Sequence, residues 1–126
     1  MNDIVAILAQ AAKKFSILED AASNSGGEVQ VTEDMTDAFT AAHFAHTILL
    51  YLGKDKLLEL EREGVINNST ISGSSLSSAL TCARDYMTGK TDKFSKDNYE
   101  QLGRSCRSVK RLYELGCTPD LFHSIK

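Results

Sequence analysis

Apolar residues recur in alternating steps of four and three along the start of the chain, at Ile4, Leu8, Ala11, Phe15, Leu18 and Ala22. Residues so spaced share one face of an α-helix, and the pattern predicts a bundle helix over residues 1–24. Asn2 or Asp3 can cap its start, and Ser23-Asn24-Ser25-Gly26-Gly27 ends it. The next four residues, Glu28-Val29-Gln30-Val31, alternate polar and apolar. A segment this short cannot pair alone, so it is expected to be an extended connector.

Thr32 is expected to cap a second helix, with Glu33 and Asp34 in its first turn, where the helix dipole favours anions. That helix is expected to reach about Leu52, with Gly53 as its stop. Met35, Ala38, Phe39, Ala41, Ala42, Phe44, Ala45, Ile48, Leu49 and Leu52 leave only Thr36, Thr40, His43 and Thr47 as a polar stripe. A helix apolar around most of its circumference belongs at the centre of a bundle.

A short third helix is expected over residues 54–63, ended by Gly64, then a loop over 67–75. A fourth is expected over 75–87, with Leu76, Ala79, Leu80, Ala83 and Met87 on one face. Ser95 can cap a fifth helix over 96–115, whose seam is Tyr99, Leu102, Cys106, Val109 and Tyr113. Thr118-Pro119-Asp120 reads as the start of a last short turn, with Leu121, Phe122 and Ile125 as its apolar content. The expected fold is all-α: a single-domain four- or five-helix bundle over residues 1–126, with a short C-terminal helical turn. Phe15, Phe39, Ile48, Leu80 and Leu102 are expected to be buried together.

Composition agrees with one globular domain: 126 residues, 42% hydrophobic and 25% charged. The net charge of −3 argues against a strongly basic nucleic-acid binder. It hides an asymmetry. Residues 1–64 carry eleven acidic and five basic side chains, whereas residues 65–126 carry six and nine. No apolar run approaches the roughly 20 residues of a membrane span. Asp3 sits where a secretory leader carries positive charge, so a cytoplasmic location is expected. The three cysteines, Cys82, Cys106 and Cys117, fit no zinc spacing and are expected as reduced thiols.

The strongest candidate site is the basic face of the fifth helix. Arg104, Arg107 and Arg111 recur at three and four residues, almost opposite the Tyr99–Val109 seam at about 100° per residue, and Lys96 and Lys110 flank them. Three guanidiniums in a row can grip carboxylates or phosphates through paired hydrogen bonds. The bland alternative is a solvated face, with Glu100 placed to pair with Arg104. His43 and His46 stand at metal-ligand spacing, but no acidic residue completes a motif, and His46 reads better as a buried, hydrogen-bonded histidine. Neither a phosphate-binding loop nor a nucleophile motif is present.

The expectation is therefore a non-enzymatic protein–protein interaction module of chaperone, anti-activator, immunity or assembly-adaptor type, without cofactor or metal. It would bind a partner with an acidic surface through Arg104, Arg107, Arg111, Lys96 and Lys110. The alternative is a nucleic-acid accessory protein using the same face. A homodimer is also expected, because the second helix is too apolar to be left uncovered.

Overall fold

The computed structural model describes residues 2–66 and 73–116. Their order is α1 (Asn2–Ser23), β1 (Glu28–Gln30), α2 (Thr36–Arg62), α3 (Gly73–Met87), β2 (Lys93–Ser95) and α4 (Lys96–Glu114). The fold is mostly helical. The C-terminal turn expected at Thr118–Asp120 lies outside the described residues.

The seam of α1 buries Leu8, Ala11, Phe15 and Ala22, leaves Ile4 and Leu18 half-buried against the core, and is joined by Ala12. The segment after it departs from expectation. Residues 28–30 are a strand rather than a connector, pairing antiparallel with β2 in the register Glu28↔Ser95, Val29↔Phe94 and Gln30↔Lys93. Backbone bonds continue the ladder at both ends, from Val31 N–H to the Asp92 carbonyl (2.7 Å) and from Lys96 N–H to the Gly27 carbonyl (2.8 Å). The Tyr99 hydroxyl adds a 2.8 Å bond to the Val29 carbonyl. A three-residue strand is marginal alone; here α4 clamps it from one side.

Helix α2 begins later than Thr32 would have it. Asp34 supplies the start instead, its Oδ1 accepting from the Thr36 N–H at 2.9 Å and the Thr36 hydroxyl at 2.6 Å. Residue 35, at the cap position itself, is Met, whose N–H donates to the Tyr86 hydroxyl at 2.9 Å. The expected break at Gly53 is present as a kink. Gly53 has φ 83° and ψ 165°, a left-handed conformation open to glycine, and two helical pieces meet there. Helix α4 is capped as its sequence predicts, with Ser95 Oγ accepting from Asn98 N–H at 3.2 Å.

The core gathers around Phe39, which is fully buried. Its ring meets Phe15 of α1 edge-on at 5.1 Å, stacks on Tyr86 of α3 at 4.2 Å and lies 5.6 Å from Phe94 of β2. Ile48 and Leu102 share this core, whereas Leu80 is only half-buried. The first part of α2 is covered by α1, α3 and α4 of the same chain. This is how Ala38, Ala41, Ala42, Ala45, Ile48 and Leu49 leave solvent without a second copy.

The most extensive helix contact is between α1 and α4. It passes over Gly103, where a Cβ would sit 3.4 Å from Phe15 Cβ and 3.7 Å from the Ala12 carbonyl oxygen. A residue without a side chain lets the two helices approach closely.

Candidate functional site

Helix α4 buries Tyr99, Leu102, Cys106 and Val109 as its seam predicts; Tyr113 is only half-buried, and Leu112, Gly103, Ser105 and Ser108 are buried as well. The band left for the arginines is therefore narrow. Arg104 is only 25% exposed along its side chain, while Arg107 and Arg111 remain exposed.

The band faces a second wall. Helix α2 ends in a glycine turn, with Gly64 N–H bonded to the Glu61 carbonyl (3.0 Å) and Val65 N–H to the Leu60 carbonyl (3.0 Å). Glu61 in the last turn of α2, together with Gly64, Val65 and Ile66 of the turn and just beyond it, faces α4. Between the two walls lies a cleft of about 720 Å³, lined by those four residues and by Arg104, Arg107, Ser108 and Arg111. The three arginines thus line one cleft, with Arg107 and Arg111 still exposed to solvent.

The other two candidates are not part of it. Lys96 stands at the start of α4, eight residues before Arg104, about 12 Å along the axis. Lys110 is held by Glu114 at 3.0 Å.

The charges within the cleft are unequally satisfied. Arg104 Nη2 donates to Glu100 Oε2 at 2.9 Å, the ion pair that its i,i+4 spacing predicts. Among the described residues, Arg107 and Arg111 form no ion pair. Arg107 folds back along α4, its Nη1 lying 3.3 Å from where a Cβ on Gly103 would be. The missing side chain at 103 is what gives this guanidinium its place.

Ser108 is the residue that sequence reasoning missed. It is 6% exposed, it lines the cleft, and its hydroxyl has no hydrogen-bond partner among the described residues. The helical wheel carried a weak signal: Ser108 lies three residues before Arg111 and four after Arg104, so it neighbours both on the helix surface.

His46 is fully buried and doubly bonded. Its Nδ1–H donates to the Ala42 carbonyl at 2.6 Å, and its Nε2 accepts from the Ser105 hydroxyl at 2.9 Å. Burial pushes its pKa down to about 4, against the pull of the Ala42 carbonyl, with the nearby His43 adding to the decrease. The imidazole is therefore neutral at pH 7. Its partner His43 is half-buried, and the described residues hold no group of three His, Cys, Asp or Glu that could take a metal ion.

Cys82 and Cys106 are buried free thiols, raised by burial to about 11 and about 12. Thiols so protonated are poor nucleophiles. No described helix is long and apolar enough to cross a membrane.

A second depression, about 460 Å³ between α1 and α2, is lined by Ile4, Ile7, Asp37, Thr40, Ala41 and Phe44. It is mostly apolar, and Asp37 is the one charged residue in its described lining. No family model, curated protein or solved structure compared with the chain matches it.

Proposed function

We propose that the chain is a non-enzymatic helical interaction module that docks a protein partner with an acidic surface, and that the cleft between α4 and the end of α2 is the docking site. The observation that carries this reading is that Arg104, Arg107 and Arg111 share one cleft while two of them form no ion pair among the described residues. Arginine can grip carboxylates through two parallel bonds and is enriched among the residues that dominate binding energy.

The lining also favours a protein over a nucleic acid. Binders of single strands combine basic grooves with stacking aromatics. Among the described residues, no aromatic ring lines this cleft; Tyr99 is buried and Tyr113 sits 6.3 Å from Phe44.

The test replaces Arg104, Arg107 and Arg111 together by Gln. Capture from an extract of the source cells should lose an acidic protein that the unaltered chain retains. Equal capture by both forms would overturn the proposal, and recovery abolished by nuclease would give the cleft to nucleic acid. Light scattering on the same samples, read against the chain mass of 13.8 kDa, tells whether a homodimer forms.

A further inference from the structure

The cleft holds a feature that a general basic surface does not need. Ser108 is removed from water, lines the cleft and has no hydrogen-bond partner among the described residues. A buried hydroxyl without a partner is uncommon and destabilising, because the hydrogen bonds it made to water are not replaced. Its neighbours on the helix surface are Arg104 and Arg111, and Arg107 precedes it directly. A hydroxyl that donates one proton, set in a row of guanidiniums that also only donate, matches a ligand that only accepts. An ionised carboxylate is such a group.

We infer that Ser108 is a ligand-binding residue: its hydroxyl donates to a carboxylate oxygen of an Asp or Glu side chain in an acidic segment of the partner, while Arg107 and Arg111 hold the charge. This rests on the arginine cleft being the docking site. Glu61 on the facing wall sets a limit on the ligand, since it repels a second carboxylate brought to that side. The segment accepted therefore lays its carboxylates along α4, where three arginines span seven residues, about 10 Å. Toward Val65 and Ile66 it presents apolar atoms.

The test uses a fluorescein-labelled peptide of six glutamates, its six-glutamine counterpart and a labelled oligothymidylate, each titrated by anisotropy into the whole chain. The unaltered protein should bind the glutamate peptide and not the glutamine one. Ser108→Ala should weaken glutamate-peptide binding about tenfold, the loss expected for one hydrogen bond to a charged group. Its melting temperature should stay level or rise, because an unpaired buried hydroxyl has been removed. Ser108→Cys, a similar shape with a weak donor, should weaken binding in the same direction. The pair Arg107→Gln with Arg111→Gln should abolish it.

If Ser108→Ala binds like the unaltered chain while the arginine pair loses binding, the cleft stands and the role of Ser108 is overturned. If neither change matters, both readings fall. Tighter binding of the oligothymidylate than of the glutamate peptide would assign the oxyanion to a phosphate and overturn the acidic segment.

Discussion

Two serines three residues apart on α4 are both buried and differ in everything else. Ser105 is 1% exposed and gives its proton to His46 Nε2 at 2.9 Å. Ser108 is 6% exposed, with no hydrogen-bond partner among the described residues. Around Ser105, the polar atoms account for one another: the Ala42 carbonyl, both imidazole nitrogens and the hydroxyl form one chain of bonds that ties α2 to α4. Around Ser108 there are three guanidiniums and a cleft. A satisfied polar group in a core fixes how two helices meet, whereas an unsatisfied one beside an opening leaves bonding capacity for something else.

The comparison breaks most readily with acid. His46 is neutral when folded down to about pH 4, whereas an ordinary histidine titrates near 6.5. Above that value both the folded and unfolded chains leave it neutral, and it adds no pH dependence. As pH falls from about 6.5 to 4 the unfolded chain takes up the proton first. Stability should therefore fall, by about 3 kcal/mol from this group. Urea denaturation across that range should show a shallower acid limb in His46→Gln than in the unaltered protein. Equal slopes would mean that the imidazole is not held neutral by its surroundings.

A smaller effect separates the two hydroxyls directly. Ser105→Ala leaves His46 Nε2 buried without a donor and should cost about 1–3 kcal/mol. The double change His46→Leu with Ser105→Ala should cost less than the two single changes combined, since neither partner is then left unsatisfied. Chemical denaturation of the three variants checks this.

The smallest effect is expected in the cleft. Among the described residues, replacing all three arginines by Gln removes the partly exposed ion pair Arg104–Glu100, and it should shift stability by only about 0–1 kcal/mol. A larger loss in thermal melting would show that the arginines hold the fold rather than a ligand.

The satisfied region was the legible one. The period of α1, α2 and α4 follows from apolar spacing, and a histidine on the apolar flank of a central helix reads as buried whatever its partner. The strand pair was not legible, because its two halves are three residues each and lie more than sixty residues apart; only the tertiary position of α4 makes them adjacent. The start of α2 differs from the expected Thr32 cap: Met35 takes the cap position, with Asp34 before it accepting from the Thr36 N–H and hydroxyl. The wheel placed the arginines on one face but held no information about what faces them. Glu61 in the last turn of α2 and Ile66 beyond the glycine turn face them, and Lys110 lies outside the cleft, paired with Glu114. Ser108 escaped notice because a serine beside a charged stripe normally faces water.

The strand pairing has one more consequence, for the order in which the chain becomes stable. Because β1 follows α1 and β2 precedes α4, and the strands are antiparallel, the first and last described helices run in opposite directions against each other. On a ribosome, α1 emerges well before α4, yet its most extensive interface among the described residues is with that later helix. Until α4 is released, Phe15 can meet Phe39 of α2, but the close approach of Ala12 and Phe15 to Gly103 has no counterpart. Contacts between such distant parts of a chain are slow to close, and the surface waiting for them stays open to aggregation or to a chaperone in the meantime.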